Sequence, residues 1–182
     1  MSTITAQHNA VVAQLTGPGA PFETHRIDMG GHSVLAYKNA VGTLADVINE
    51  GRQHGNKLFL QYNGQDWSFD QFFTQVDQFA GLLQHHYGIA QGDRVAIAMR
   101  NRPEWLAAFC AVINIGAVAV PLNSWGKSEE LHHGLDKSHA KVVICDQQRC
   151  DYIAPAKVGV KALLVDPATH NDEYTESLAD LP

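Results

Sequence analysis

Residues 92–123 read GDRVAIAMRNRPEWLAAFCAVINIGAVAVPLN and predict a strand, a helix and a second strand in succession. The first strand is the apolar run 94–99. The helix covers 103–115 and has proline at its first position, where the missing N–H costs no hydrogen bond. The second strand, 117–120, stops at Pro121, because proline has no N–H to donate to a neighbouring strand. A buried strand–helix–strand unit of this kind is typical of a parallel sheet.

The same order of elements continues towards the C-terminus. Helices are predicted at 128–138 and 147–156, and short apolar strands at 142–145 and 162–165. None of these strands alternates apolar with polar residues, so we expect helices to cover both faces of the sheet. The predicted fold class is therefore α/β, with a mostly parallel sheet packed between two layers of helices.

A helix with well-marked ends precedes this region. Ser68 and Gln71 match a capping box, in which each side chain accepts a hydrogen bond from the backbone N–H of the other residue. Trp67 and Phe72 have the spacing of a hydrophobic staple, which fixes the direction in which the chain enters a helix. Gly88 suits the left-handed conformation that ends such a helix.

The N-terminal part of the chain predicts shorter elements. Residues 1–21 are expected to be a mobile lead-in without a helix, because two glycines and two prolines fall among the last five of them. A β-hairpin with a Gly-Gly turn is predicted for 25–37. Thr43 fits the N-cap of a helix. Residues 22–182 are then expected to form one partial α/β domain.

Composition excludes several classes of protein. The 182 residues carry 13 Lys and Arg against 19 Asp and Glu, a formal net charge of −6, so neither nucleic acid nor an anionic membrane is an expected partner. No apolar run reaches the roughly 20 residues of a membrane-spanning helix. Three cysteines are too few for a disulfide framework, which favours a reducing compartment and a cytoplasmic location.

Few residues carry a chemical signal by themselves. The chain contains neither G-x-G-x-x-G nor G-x-x-x-x-G-K-S/T, and its adjacent histidines point apart on a helix, so no catalytic residue and no metal site is predicted. Arg100, Asn101 and Arg102 follow a central strand at the edge where parallel sheets bind ligands. These three are candidates for binding a phosphate or an acidic ligand, and a solvated turn is the alternative.

Four segments, taken in order, resemble motifs of the adenylate-forming, AMP-binding superfamily. They are 67–72, WSFDQF; 92–105, GDRVAI followed by NRPEW; 113–123, INIGAVAVPLN; and 130–143, EL followed by SHAKVV. The resemblance covers about residues 43–166. One departure is Arg102, which stands where the family often has a serine that caps the next helix. The resemblance implies that the chain is part of the large N-terminal domain of an adenylate-forming enzyme.

The resemblance also implies an acyl-CoA synthetase, which joins a carboxylic acid to ATP, releases pyrophosphate and passes the acyl group to CoA. ATP, Mg²⁺ and CoA are then the cofactors of the full-length enzyme. The family's Ser/Thr/Gly-rich phosphate loop, its ribose-binding Asp and its C-terminal domain with the catalytic Lys match no position here. We therefore expect the chain alone to hold none of these cofactors tightly and to lack adenylation activity.

The missing segments also suggest partners and alternative functions. The expected partner is the missing downstream part of the same enzyme, or a second copy of this chain bound through an exposed sheet edge. Two other functions stay open. One is a non-catalytic binding or interaction module with half of the enzyme fold, and the other is a small nucleotide-binding α/β domain.

Overall fold

The computed structural model describes residues 3–154 and 159–165. Contacts divide the chain into two compact units, Met1–Asp46 and Val47–Pro182, and each unit is described by itself. The predicted end of the last helix, at residues 155 and 156, lies outside the described residues.

The first unit begins with a helix that the sequence did not predict. α1 (Thr3–Thr16) ends directly before Gly17, so the expectation that residues 1–21 contain no helix is wrong. The glycines and prolines on which that expectation rested all follow the helix and interrupt nothing within it. The Oγ1 atom of Thr16 donates a hydrogen bond to the carbonyl of Val12 at 2.8 Å, within the last turn. The mobility of residues 1–21 stays a prediction.

A hairpin and the start of a second helix complete the first unit. β1 (Thr24–Met29) and β2 (His32–Tyr37) pair antiparallel, with the two glycines between them at φ 61° and 86°, values that glycine adopts without strain. The predicted hairpin is confirmed. α2 (Leu44–Asn49) follows, and the Oγ1 atom of Thr43 accepts a hydrogen bond from the backbone N–H of Asp46 at 3.1 Å. The predicted N-cap is confirmed as well.

The second unit opens with a hairpin and an amphipathic helix. Its elements before the central sheet are a 3₁₀ turn (Glu50–His54), β3 (Leu58–Tyr62), β4 (Gln65–Ser68), α3 (Phe69–Gly81) and a π-helical turn (Leu82–His86). The backbone N–H of Gln71 donates to Oγ of Ser68 at 3.2 Å, and the backbone N–H of Ser68 donates to Oε1 of Gln71 at 2.9 Å. The predicted capping box is therefore confirmed.

A four-stranded parallel sheet forms the centre of the second unit. Its elements are β5 (Arg94–Ala98), α4 (Pro103–Asn114), β6 (Val118–Pro121), α5 (Ser128–Ser138), β7 (Val142–Cys145), α6 (Gln147–Ile153) and β8 (Lys161–Leu164). The strands lie in the order β6-β5-β7-β8, and every neighbouring pair is parallel. A helix connects each strand to the next along the chain, as parallel pairing requires. The predicted α/β fold class is confirmed.

Side chains of β5 enter a core cluster on each face of the sheet. Val95 and Ile97 pack with residues of α3 and α4, whereas Ala96 and Ala98 pack in a second cluster with Leu131 of α5. All five are at most 1% exposed. Because a fully buried large aliphatic side chain contributes about 1.5–3 kcal/mol, the two clusters hold the strands, and with them the strand ends, in fixed positions.

Candidate functional site

The carboxyl ends of β5, β6 and β7 meet at one edge of the parallel sheet. Arg100 follows β5, Ser124 and Trp125 follow β6, and Asp146 directly follows β7. Ligands bind at this edge in open α/β sheets, because the loops after the strands converge there. β5 and β7 are neighbours, and the backbone N–H of Arg100 donates a hydrogen bond to Oδ2 of Asp146 at 3.1 Å.

A buried ion pair connects the end of β7 to the loop after β6. Oδ1 and Oδ2 of Asp146 accept hydrogen bonds from Nη1 of Arg149 at 3.2 and 3.1 Å, and Oδ1 also accepts from the backbone N–H of Arg149 at 3.0 Å. Nε of Arg149 donates to the carbonyl of Ser124 at 2.9 Å, and Nη2 donates to the same oxygen. The side chains of Arg149 and Asp146 are only 6% and 10% exposed. The bonds fix the orientation of this guanidinium and offset part of the cost of burying the two charges.

A cation and an indole lie in contact beside this ion pair. The guanidinium carbon of Arg100 is 3.4 Å from the ring centroid of Trp125, a favourable cation–π contact. The backbone N–H of Trp125 donates to Oδ1 of Asn123 at 3.1 Å, which shapes the loop that carries the indole. Trp125 is nevertheless 75% exposed. The indole is thus held in place while most of its surface stays open to solvent.

These side chains line a cavity of about 430 Å³. The lining groups are three cations, two aromatic rings and two uncharged polar residues, supplied by Arg100, Ser124, Trp125, Lys127, Gln148, Arg149 and Tyr152. Cations of this kind bind phosphate through charge-assisted hydrogen bonds, and exposed aromatic rings stack on flat groups such as nucleobases. The cavity therefore suits an anion that carries a planar group.

The structure places one of the three sequence-predicted residues in this cavity. Asn101 is exposed and is not among the lining residues. Nε and Nη2 of Arg102 donate to the two carboxylate oxygens of Glu104 at 2.7 and 3.0 Å, and both side chains are buried at the start of α4. Arg102 thus supports the helix, and Arg100 is the predicted residue that lines the cavity. Ligand binding by these residues stays a prediction.

Asp146, Arg149 and Trp125 were not predicted as members of the site. Asp146 has a readable signal, because it follows an apolar strand and caps the next helix. Arg149 lies three residues further on, a spacing at which its side chain can reach back to the carboxylate. Trp125 has no comparable signal, since its contact with Arg100 depends on how two separate loops are placed by the fold.

The buried thiols do not add a nucleophile to the site. Burial raises the pKa of Cys110 to about 11. Burial, with the neighbouring Cys150 as the next cause, also raises the pKa of Cys145. Both thiols therefore stay protonated at neutral pH. Among residues 3–154 and 159–165, no three His, Cys, Asp or Glu side chains are placed to hold a metal ion, and no helix is long and apolar enough to span a bilayer.

The amino ends of β5 and β7 are joined by an ion pair at the surface. Nζ of Lys141 donates to Oδ2 of Asp93 at 2.8 Å, and the backbone N–H of Ala90 donates to the same oxygen at 3.0 Å. The hydrogen bond from Lys141, followed by that from Ala90, holds the pKa of Asp93 below its usual value. This pair lies away from the cavity and acts on stability.

The sequence of this chain is similar to a known enzyme family. A model of the AMP-binding enzyme family matches residues 48–180, more than half of the chain. The medium/long-chain-fatty-acid–CoA ligase FadD6 of Mycobacterium tuberculosis is 28% identical over 122 residues, which are 66% of this chain and 20% of FadD6. The mitochondrial acyl-coenzyme A synthetase ACSM3 of Mus musculus is 28% identical over 129 residues, 69% of this chain and 22% of that protein. The chain thus spans about a fifth of the length of these curated relatives.

Solved structures show the same relationship. MatB from Rhodopseudomonas palustris, crystallised with ATP bound, is similar with a TM-score of 0.65 at 26% identity, over 76% of this chain and 28% of MatB. The N-terminal domain of FACL13 from Mycobacterium tuberculosis shares the fold with a TM-score of 0.64 at 24% identity, over 78% of this chain and 37% of that domain. The chain therefore belongs to the AMP-binding enzyme family and has the fold found in the N-terminal domains of adenylate-forming enzymes.

Proposed function

We propose that this chain forms the first part of the N-terminal domain of an ATP-dependent acyl-CoA ligase. Such an enzyme joins a carboxylic acid to ATP, releases pyrophosphate and transfers the acyl group to CoA. The observation that carries the proposal is the family match over residues 48–180, together with relatives named as CoA ligases and synthetases. The proposal includes ATP, Mg²⁺ and CoA as cofactors of the whole enzyme and a cytoplasmic location, which the low cysteine count favours.

The cavity at the carboxyl edge of the sheet is proposed to bind a phosphate-bearing part of one of these substrates. Arg100 and Lys127 supply positive charge, the charge of Arg149 is paired with Asp146, and Trp125 supplies an exposed aromatic surface. Arg149 is bonded to Asp146 and to the Ser124 carbonyl, so it holds the wall of the cavity in place. The cationic lining suits phosphate groups. Mg²⁺ prefers carboxylate oxygens, so we assign its ligands to another part of the enzyme.

The proposal extends to inactivity of the chain when it is alone. Adenylation needs groups that stabilise the charge developing on the transferred phosphate, and no segment of this sequence matches the family's Ser/Thr/Gly-rich phosphate loop. The test is carboxylate-dependent exchange of labelled pyrophosphate into ATP. Fatty acids of medium and long chain and 4-hydroxybutyrate are suitable substrates, because ligases among the relatives are named for them.

Full-length FadD6 serves as the positive control for this exchange assay. We expect the purified 182-residue chain to give no more exchange than a reaction without protein. Exchange above that background, dependent on added carboxylic acid, would contradict the proposed inactivity and would show that the chain contains a complete adenylation site.

A second candidate function is nucleotide binding by the chain alone, and the contact between Arg100 and Trp125 favours it. Isothermal titration with ATP, AMP and CoA measures this directly. A Kd near or below about 100 µM, which is about −5.5 kcal/mol, would support it if the binding is lost in Arg100→Ala. Arg26→Ala is the matched control, because Arg26 is an exposed arginine on β1. The absence of binding by the unaltered chain would contradict this function.

The two edge strands of the described sheet are proposed to pair with further chain of the same enzyme or with a second copy. Val118 of β6 and Leu164 of β8 are 46% and 39% exposed, and a strand edge offers unpaired backbone groups. Light scattering after size exclusion, together with a hydrophobic dye, tests this. We expect self-association or dye binding. A monomer that binds no dye at high concentration would instead favour an independent interaction module.

A further inference from the structure

The hairpin between β3 and β4 has a two-residue tip, Asn63 and Gly64. The flanking residues Tyr62 and Gln65 are paired as the ends of the two strands. Asn63 has a φ of 50° and Gly64 a φ of 77°, and a type I′ turn requires positive φ at both of its central residues. Both residues are exposed. Neither has a role in the function proposed above.

The residue after Asn63 leaves the neighbouring backbone nitrogen open to reaction. Asparagine is chemically labile, because the backbone nitrogen of the next residue can attack its side-chain amide carbon and close a five-membered ring. A side chain on that next residue hinders the attack. Of the nine asparagines in the sequence, Asn63 alone is followed by glycine. Apart from its chain neighbours, no heavy atom lies within 4 Å of the position that a Cβ would take on Gly64.

The side-chain amide of Asn63 is also unrestrained, in contrast to that of Asn123. Among the described residues, the amide of Asn63 takes part in no side-chain hydrogen bond. Nδ2 of Asn123 donates to Oε1 of Glu130 at 2.9 Å, and Oδ1 of Asn123 accepts from the backbone N–H of Trp125 at 3.1 Å. Asn123 must break both bonds before its amide can turn towards the backbone nitrogen that follows it. Asn63 has no such bonds to break.

We propose that Asn63 is a site of spontaneous deamidation, with water as the co-reactant. In the first step the backbone nitrogen of Gly64 gives its proton to solvent and attacks Cγ of Asn63. The side-chain nitrogen leaves as ammonia, and a cyclic succinimide remains. In the second step water adds to one of the two ring carbonyls, and the bond from that carbon to the ring nitrogen breaks. The product is aspartate or isoaspartate, and no group is oxidised or reduced.

The isoaspartate product changes the hairpin itself. It directs the backbone through the former side chain and so adds one carbon between Tyr62 and Gln65, in addition to a new negative charge. A turn of two residues fits its strands only with a defined backbone geometry. Phe59 and Leu60 of β3 pack against the core of the second unit. The isoaspartyl form should therefore hold β3 less well against that core and unfold more easily.

The test incubates the whole folded chain at neutral and at alkaline pH and follows it by intact mass and peptide mapping. The peptide with Asn63 should gain the mass difference between a hydroxyl and an amino group, faster at alkaline pH because the attacking nitrogen must lose its proton. Isoaspartate is detected by a carboxyl methyltransferase specific for it, with labelled S-adenosylmethionine. Asn123 should stay unmodified as the matched control. Asn63→Gln should stay unmodified at this position, because a glutamine would have to close a larger ring.

Three results would overturn the proposal. The first is an intact Asn63 in the folded chain over a period in which the urea-unfolded chain is converted there, since the turn would then protect it. The second is conversion of Asn123 as fast as that of Asn63. The third is an isoaspartyl fraction, separated by anion exchange, that unfolds at the same urea concentration as the unmodified chain. All three come from the unaltered chain, so they hold even where the variant fails to fold, and none depends on whether the whole enzyme is an acyl-CoA ligase.

Discussion

The substitution Asp146→Ala tests the buried cluster at the carboxyl edge of the sheet. In the folded chain this carboxylate accepts two hydrogen bonds from the Arg149 guanidinium and one each from the backbone N–H groups of Arg149 and Arg100. The substitution leaves the Arg149 side chain, only 6% exposed, without its counter-charge. Breaking a buried ion pair from one side costs about 3–5 kcal/mol.

The free energy of unfolding is best measured by urea titration followed by tryptophan fluorescence. All three tryptophans, Trp67, Trp105 and Trp125, belong to the unit Val47–Pro182, so the signal reports that unit. With a urea slope of about 2 kcal/mol/M, a loss of 3–5 kcal/mol lowers the midpoint by about 1.5–2.5 M. Asp146→Asn keeps an acceptor for the N-cap but not the charge, and should cost about 1.5–3 kcal/mol.

Asp151→Ala is the matched control for this substitution. Asp151 is an exposed carboxylate on the same helix. Among the described side-chain hydrogen bonds of α6, its carboxylate takes part in one, which it accepts from the exposed amide of Gln147. Its removal should change the free energy of unfolding by less than about 0.5 kcal/mol. If Asp146→Ala costs no more than this control, the reasoning about the cluster is refuted, and Arg149 must be able to reach solvent.

Three further predictions concern other parts of the second unit. Ser68→Ala removes the N-cap of α3 and should lower the free energy of unfolding by about 1 kcal/mol in the same urea titration. An unchanged free energy of unfolding would contradict this. Gly116→Ala should cost about 1–2 kcal/mol, because φ is +72° and the added Cβ would lie 3.1 Å from Cγ of Gln91; an unchanged midpoint would refute this. The hydrogen bond from Lys141 lowers the pKa of Asp93 in the folded chain. The pair therefore stabilises the fold fully at a pH above the usual carboxyl pKa of about 4, and this stabilisation is lost as the pH falls through the lowered pKa of Asp93. The melting temperature of Asp93→Asn should therefore lie below that of the unaltered chain at pH 7, and the two melting temperatures should converge in acid. A difference in melting temperature that stays the same at every pH would contradict the assignment.

The sheet region was predictable because each of its signals is local. An apolar run such as 94–99, a proline at a helix start and the Ser68–Gln71 pair all depend on residues a few positions apart. The sequence does not predict α1, because this helix has no comparable local signal. Its sequence is weakly patterned, and the conspicuous glycines and prolines just after it affect only the residues that follow Thr16.

The site was only partly predictable because its contacts join separate loops. The position of Arg100 after a central strand was enough to expect a ligand-facing residue. The role of Arg149 depends on the Ser124 carbonyl, 25 residues earlier in the chain, and no local pattern reports that contact. Arg102 was expected beside Arg100, but the carboxylate of Glu104 two residues later takes its guanidinium into the start of α4. Spacing along the chain did not distinguish these two arginines.

The central proposal is that this chain is part of a larger acyl-CoA ligase, and the native mass of the gene product tests it most directly. An antibody raised against residues 47–165 would detect the protein in extracts of its source cells. The account predicts a band several times heavier than the 19.9 kDa of this chain, since the matched relatives are about five times as long as the segment they share with it. A band near 20 kDa, with no heavier species, would contradict the claim and leave an independent binding module as the function to pursue.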